Sequence, residues 1–334
     1  MRVIFLIVII FGSVLDGKAQ DSLVIPLAPT EPHRFVFTNT INAFWYGNTQ
    51  AKNSPSFMGY TIAEQRYVRD YEILVNNKPL PRNTAQYIYL YPDRIERQYD
   101  LMTETFWFVD SLPMLVISLK NSQAKSISVR FLWDAAVSNN LQWKQHSPFL
   151  LGKVPELIQR NKRAWVGIVT IPNKENLFNQ GSAILQNEST TINLPDHSQT
   201  TILVYFGQDS MDVARIMLRA PGELEHWLKV RRQRIQRLLQ RTSIHTKNEM
   251  FNRAVAWARI ALDDLITHQG MPGIWAGLPW FNNYWGRDTF IAFRGALLTT
   301  GRFPIAKKIL RAFAAGKILI HYPGNWDVFP IASL

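Results

Sequence analysis

The feature that most constrains the fold is a change in hydrophobic pattern near Asp209. Before it, short segments rich in β-branched and aromatic residues are separated by polar turn residues, a pattern typical of strands. The predicted strands are 34–38, 71–75, 86–91, 104–109, 114–119, 126–133, 163–171 and 200–207. Many short strands with polar turns between them predict an antiparallel β-sandwich over residues 20–208.

After Asp209 the apolar residues recur at spacings of three and four, which predicts helices. A first helix is expected over 210–218, with Met211, Ala214 and Leu218 on its apolar side and a stop at Pro221 and Gly222. The further predicted helices are 223–240, 248–268, 289–299 and one that follows Gly301–Pro304 and runs to Phe313 or Ala314. The chain is thus multi-domain, β then α, with linker helices over 209–245.

Within residues 275–295, the turn-rich part 275–288 concentrates three tryptophans, a tyrosine, a phenylalanine and the adjacent Arg287 and Asp288, and it leads directly into a helix. This composition suits a sugar, because indole rings stack on the apolar face of a pyranose while charged groups bind its hydroxyls. A buried loop with an ordinary ion pair is the competing interpretation. The same choice applies to the aromatics of the β domain, where core packing is favoured over a sugar-binding face for Trp45, Tyr46, Trp107, Trp133 and Trp143.

Residues 276–303 resemble a known family. The run Ala-Gly-Leu-Pro-Trp-Phe…Trp-Gly-Arg-Asp-Thr-Phe-Ile-Ala…Arg-Gly-Ala-Leu-Leu-Thr-Thr-Gly-Arg-Phe is similar to the glucosidase domain of glycogen debranching enzymes, the amylo-alpha-1,6-glucosidase type, related to glucoamylases. The resemblance implies an (α/α)6 toroid, of which residues 246–334 would be the incomplete start. Because the sequence departs from the family pattern at about Lys317, we expect a truncated N-terminal portion of such an enzyme.

The resemblance also implies roles for four residues. Arg287 and Asp288 would hold hydroxyls of a terminal glucose, Trp285 would form the wall of that subsite, and Trp280 would stack on the sugar. The catalytic acid and base are expected in later parts of the toroid, so no catalytic residue is assigned within this chain. Asp288 as the general acid is the alternative, but the adjacent Arg287 favours an ionised carboxylate and hence a hydroxyl acceptor.

The expected function is therefore inverting hydrolysis of an α-glucan or oligosaccharide by an exported α-glucosidase, with no cofactor. A trehalase-like or oligosaccharide glucosidase remains a second enzymatic possibility. A non-catalytic carbohydrate-binding fragment is the alternative outside the enzymes. The histidines are too far apart for a metal motif, so no metal is predicted, and the oligomeric state is left open.

Residues 1–19 have the features of an export signal. Arg2 is followed by an apolar run to Phe11, and small residues at Gly17 and Ala19 fit cleavage after Ala19. The run is shorter than the roughly 20 residues of a permanent membrane anchor. The predicted location is periplasmic or secreted.

The net charge of +12 would suit a nucleic acid, but export argues against that partner. Six of the cations crowd into one acid-free run of 13 residues: Lys229, Arg231, Arg232, Arg234, Arg237 and Arg241. This run is predicted to be a solvated helix face, with contact to an anionic envelope surface or polysaccharide as the alternative.

Overall fold

The structure is a computed structural model, which describes residues 22–121, 126–146, 148–172, 183–186, 188–194, 199–241 and 244–315. The predicted export signal and the tail from Lys317 lie outside the described residues. The described residues form two compact units. Unit 1 takes the residues up to Asn39 and those from Ala43 to Gln233, and unit 2 takes Thr40–Asn42 and the residues from Arg234 onward.

Unit 1 contains two antiparallel sheets, whose strands are β1 (Ile25–Leu27), β2 (Arg34–Thr38), β3 (Ala43–Asn48), β4 (Gly59–Ile62), β5 (Gln65–Val75), β6 (Lys78–Pro79), β7 (Tyr87–Leu90), β8 (Arg94–Gln98), β9 (Met102–Phe108), β10 (Met114–Asn121), β11 (Ile127–Trp133), β12 (Gln142–His146), β13 (Phe149–Lys153), β14 (Trp165–Ile171), β15 (Ala183–Gln186), β16 (Ser189–Asn193) and β17 (Gln199–Gly207). The first sheet has the order β1-β7-β8-β9-β10-β17-β14-β13-β12. The second has the order β15-β16-β11-β5-β4-β3-β2, with β6 paired to β5. Short helices α1 (Ala135–Ser138) and α2 (Pro155–Gln159) and a 3-10 turn (Arg82–Thr84) connect strands.

The core of unit 1 is aromatic and draws on both sheets, as expected for a sandwich. The ring centroids of Trp45 in the second sheet and Phe106 in the first are 5.0 Å apart, and those of Tyr60 and Phe108 are 5.2 Å apart. The five aromatics weighed as a sugar-binding face are instead packing residues: Trp45, Tyr46, Trp107 and Trp133 are buried, and Trp143 packs against the core. The prediction of core packing is confirmed.

The helix after β17 differs from the prediction. One helix, α3, runs from Ser210 to Arg241 with Pro221 inside it, where two helices were predicted. Its buried side faces the outer surface of the first sheet through Val213, Ile216, Met217 and Ala220. Met211 and Leu218, predicted to be apolar contacts, are 81% and 59% exposed. Two alternative sets of residues have helical spacing in this segment. The set that packs against the sheet is the one that includes the β-branched Val213 and Ile216.

The basic run of α3 is only in part the predicted solvated face, because Lys229, Arg237 and Arg241 are exposed whereas Arg231 and Arg232 are not. Arg231 is fully buried and donates to Asp110 Oδ1 at 2.6 Å, to the Asp93 carbonyl at 3.0 Å and to the Thr38 carbonyl at 3.1 Å. Arg232 Nε donates to Asp93 Oδ2 at 2.9 Å. Two cations of the run therefore balance carboxylates of the sandwich loops, more than a hundred positions earlier in the sequence.

Unit 2 contains α4 (Glu249–Asp264), β18 (Ile266–Gln269), β19 (Met271–Gly277), β20 (Phe281–Tyr284), α5 (Gly286–Phe293), a π-helical turn (Arg294–Leu298) and α6 (Phe303–Ala314). Asn248 caps α4, because its side chain accepts from the backbone N–H of Phe251 at 3.1 Å. The helix predicted over 248–268 ends early, at Asp264, because residues 266–269 pair with β19 as a strand. The core of this unit consists of Ile266, Ile274, Phe293, Ala296, Leu297, Ala306 and Ile309.

In the part of the chain that the structure describes, none of the helices has both the length and the apolar character of a membrane span.

Candidate functional site

The tryptophan-rich stretch is a β-hairpin that leads into a helix, where the sequence predicted a loop. β19 pairs antiparallel with β18 on one side and with β20 on the other. Residues 278–280 form the turn of the β19–β20 hairpin, and α5 begins at Gly286, two residues after β20 ends. Strand, turn and helix place the predicted site residues Trp280, Trp285, Arg287 and Asp288 within one continuous segment.

Tyr284 anchors this hairpin. Its hydroxyl accepts from the Gln269 N–H at 3.0 Å, lies 3.1 Å from the Met271 carbonyl that can accept its proton, and is 3.1 Å from Thr267 Oγ1. Burial raises the pKa of Tyr284 above its ordinary value. The ring lies over Gly273, where an added Cβ would be 2.5 Å from ring carbons, so any larger residue there would displace it. The buried phenol of Tyr284 thus holds β20 against β18 and the start of β19.

The three tryptophans of the stretch occupy different environments. Trp275 is 1% exposed and belongs to the interior, so it is not a surface for a ligand. Trp280, in the turn, is 55% exposed. Trp285 is half-buried, and its ring meets that of Phe281 edge to face at a centroid distance of 5.5 Å. Phe281, which the sequence analysis gave no role, is itself 49% exposed and adds a second apolar ring to this surface.

Arg287 and Asp288 lie in the first turn of α5, where a carboxylate is favoured by the positive end of the helix dipole. Arg287 Nη2 and Asp288 Oδ2 are 3.7 Å apart, which is an ion pair but not a hydrogen bond. The Arg287 side chain is 72% exposed and that of Asp288 is 33% exposed. Among the described residues, Asp288 Oδ2 is buried without a hydrogen-bond donor. The carboxylate therefore keeps acceptor capacity that the fold does not use.

The other acidic residues of the described part of unit 2 are Glu249, Asp263 and Asp264. Asp263 forms ion pairs with Arg234 and Arg302, and Asp264 lies 3.9 Å from Arg234. Glu249 is in the first turn of α4. In the described residues, no group of three or more His, Asp or Glu side chains is arranged to hold a metal ion. The arrangement at 280–288 is thus suited to hydrogen bonding and ring stacking.

Comparisons with known proteins show a similarity over this segment. The sequence model of the family described as amylo-alpha-1,6-glucosidase matches residues 241–318, which include the hairpin, α5 and α6. The glycogen debranching enzyme of Saccharomyces cerevisiae is 48% identical over 61 residues, which are 17% of this chain and 4% of that enzyme.

A bacterial glucoamylase solved in complex with acarbose is similar in structure. The TM-score is 0.55 at 11% sequence identity, over 87% of this chain and 53% of the glucoamylase. At this identity the likeness concerns the fold, and the chain spans about half of the glucoamylase and a small part of the yeast enzyme. Residues 241–318 of this chain are thus similar to the amylo-alpha-1,6-glucosidase family.

Proposed function

We propose that the chain is part of an exported α-glucosidase of the amylo-alpha-1,6-glucosidase type, which hydrolyses α-glucans with inversion. One observation carries the proposal. The segment that is similar to the family contains both an exposed Trp280 and an Asp288 carboxylate whose Oδ2 has no hydrogen-bond donor among the described residues. A saccharide offers a partner to each group, an apolar ring face for the indole and hydroxyl donors for the carboxylate. The fold likeness to a glucoamylase bound to acarbose supports the same class of ligand.

In this proposal the terminal glucose lies against the turn of the hairpin. Trp280 stacks on the sugar, Asp288 accepts hydrogen bonds from its hydroxyls, Arg287 donates to its oxygens and Trp285 forms a wall. The hairpin is anchored by Tyr284, and α5 fixes Asp288 in its first turn, so the groups are held before a ligand arrives.

Inverting hydrolysis needs an acid that protonates the leaving oxygen and a base that activates water, about 6.5–9.5 Å apart. We assign Asp288 to binding and place both catalytic carboxyl groups in a longer protein. Two observations support this: Asp263 and Asp264 are committed to arginines, and the chain spans only 53% of the glucoamylase. α4, α5 and α6 are then the opening helices of an (α/α)6 toroid.

The catalytic part of the proposal is tested with a full-length protein that contains this chain. Panose, isomaltose, maltose and trehalose are supplied, and released glucose is followed by NMR from the first turnover. Inversion of an α-linkage gives β-glucose first, which then mutarotates. The anomer is read with panose, whose leaving group is a disaccharide, so that all early glucose comes from the attacked residue, and early α-glucose from panose contradicts inversion. Preference for trehalose favours the trehalase-like alternative. Release of glucose from none of the four contradicts the assignment as a glucosidase.

The binding part is tested on the chain itself by tryptophan fluorescence and calorimetry with isomaltose and maltose. Trp280→Ala should weaken binding about tenfold, because a stacked aromatic contributes on the order of 1–1.5 kcal/mol. Phe303→Ala is the matched control, since Phe303 is 62% exposed in the same unit but outside the site. Equal losses in the two variants would show that Trp280 is not part of a sugar site.

Export rests on the N-terminal pattern alone, Arg2 with the apolar run and the small residues before Gln20. Expression in a bacterium followed by cell fractionation and intact-mass measurement tests it. The proposal requires a product that begins at Gln20 outside the cytoplasm, and a chain that keeps Met1 and stays inside would contradict it.

A further inference from the structure

Unit 2 contains a cavity that does not include the segment 280–288. Its volume is about 320 Å³. It lies between the last turns of α3, the strand β18 and the beginning of α6, with no lining residue from the hairpin turn or α5. This volume is at the lower end of small-ligand sites, which are about 300–1,000 Å³.

The charges around this cavity are strongly unbalanced. Five cationic side chains and a single carboxylate line it: Arg234, Arg237, Arg241, Arg302, Lys308 and Asp263. That carboxylate is shared, because Arg234 and Arg302 each donate to one of its oxygens. A concave wall with excess positive charge focuses the potential and attracts an anion.

Arg302 is the most constrained of these cations. It is 8% exposed, and among the described residues its Nε has no hydrogen-bond acceptor. Its backbone N–H donates to the Leu297 carbonyl at 2.7 Å, which fixes it at the N-terminus of α6. The positive end of the α6 dipole therefore adds to the charge of the guanidinium. Burial and then the charge of Arg302 lower the pKa of nearby Arg259, which indicates a positive local field.

We propose that this cavity is an anion site for a phosphate- or sulfate-type oxyanion, either free or carried on a sugar. Guanidinium groups bind such oxygens in pairs, and the lysine adds a point charge. The basic run of α3 is thus divided: Arg231 and Arg232 pair with carboxylates of unit 1, while Arg234, Arg237 and Arg241 line the cavity. A neutral glucan has no group that needs these charges, so the site is independent of the proposed glucosidase function.

The probe is inorganic phosphate, titrated into the chain by calorimetry at ionic strength held constant with sodium chloride. Saturable binding of one phosphate is expected. Lys308→Gln should weaken it about tenfold, the effect of losing one charge-assisted contact. Lys307→Gln is the matched control, because Lys307 is the preceding residue of α6, is exposed and does not line the cavity. Arg241→Gln, at an exposed position of a different helix, is the second test variant.

Binding that Lys308→Gln and Arg241→Gln weaken and Lys307→Gln leaves intact supports the site. No binding above the chloride background, or equal losses in all three variants, overturns it and leaves only general surface charge. A parallel titration with glucose 6-phosphate distinguishes the sources of the anion. Tighter binding of the sugar phosphate indicates a phosphorylated saccharide, and equal binding indicates free phosphate. Failure of the glucan experiments with Trp280 would not affect these outcomes, because Trp280 does not line this cavity.

Discussion

At the scale of single residues, Asp288, proposed to bind a ligand, contrasts with Asp263, which is a structural carboxylate. Asp263 is 7% exposed and is satisfied by two arginines. Asp288 is a third exposed and keeps an oxygen without a donor in the described structure. The sequence could indicate that Asp288 is special only through its resemblance to a family motif. It could not show that Asp263, in an ordinary helical pattern, would hold two guanidinium groups, because both partners are distant in sequence.

Asp288→Asn, in a full-length enzyme, should lower kcat/KM about ten- to a hundred-and-fifty-fold, since one charge-assisted hydrogen bond contributes about 1.5–3 kcal/mol. The substitution keeps the volume and replaces an acceptor oxygen by a donor. A binding residue should show this loss equally with an α-glucan and with an activated substrate such as glucosyl fluoride. A loss confined to the glucan would instead identify Asp288 as the acid, because an activated leaving group needs little protonation.

Arg231→Gln should destabilise the chain by about 3–5 kcal/mol, because it removes one partner of a buried ion pair. The other partner is the carboxylate of Asp110, which is 5% exposed. Lys229→Gln, at an exposed position of the same helix, should change the free energy of unfolding by less than about 0.5 kcal/mol. Urea denaturation of both variants provides the comparison. Similar stabilities would show that Arg231 is not the structural cation of this run.

At the scale of elements, alternation located eight of the 17 strands described in unit 1. β2 and β11 match the predicted segments to within one residue. β3 was missed because residues 43–47 are all buried, so no polar position marks a face. The helix α4 was predicted to be too long, because Leu265 and Ile266 continue its apolar spacing. It ends at Asp264 because β18 pairs with β19, a contact that the spacing does not indicate. The hairpin at the candidate site was predicted as a loop, because its sequence is rich in turn-forming residues.

Gly222→Ala should stabilise the chain by about 0.5–1 kcal/mol, because Gly222 lies inside α3 and alanine has the higher helix propensity. An added Cβ at this position meets no atom within 4 Å. Thermal unfolding of Gly222→Ala should therefore show a raised midpoint.

Gly167→Ala is the opposite control for that experiment. An added Cβ there would lie 2.5 Å from Val213 Cγ1 and 2.6 Å from Met217 Cγ, where α3 packs on β14. This variant should lower the midpoint. A rise in both variants, or a fall in both, would contradict the continuous helix and its packing.

At the scale of the whole molecule, unit 1 is held together by buried aromatic and charged groups. The sequence analysis predicted core packing for Tyr46 but gave no place to five further tyrosines that are buried. The pKa values of Tyr60, Tyr67, Tyr71, Tyr99 and Tyr205 are all raised, with burial as the largest cause. Tyr71 and Tyr99 also lie against the carboxylate of Glu104, which disfavours their ionisation further.

Unit 1 should therefore lose stability at alkaline pH. The folded pKa of each buried tyrosine is above the unfolded value of about 10, so its contribution is complete below that pH and declines as pH rises through the folded pKa. Each such group reduces the free energy of unfolding by about 1.4 kcal/mol per pH unit in that range. Phenolate absorbance and circular dichroism should change together. Ionisation of all 11 tyrosines near their ordinary pKa with the fold retained would contradict this.

The backbone amides of β10 should exchange slowly with solvent, because this strand is central in its sheet. It lies between β9 and β17 in the first sheet, and its residues Met114–Ile117 are fully buried, with side chains in both the sandwich core and the layer beneath α3. Opening this strand requires the loss of both layers at once, so its amides should exchange with deuterium only when unit 1 unfolds globally. The edge strands β1 and β12 have a partner on one side only, and their amides should exchange through local opening long before.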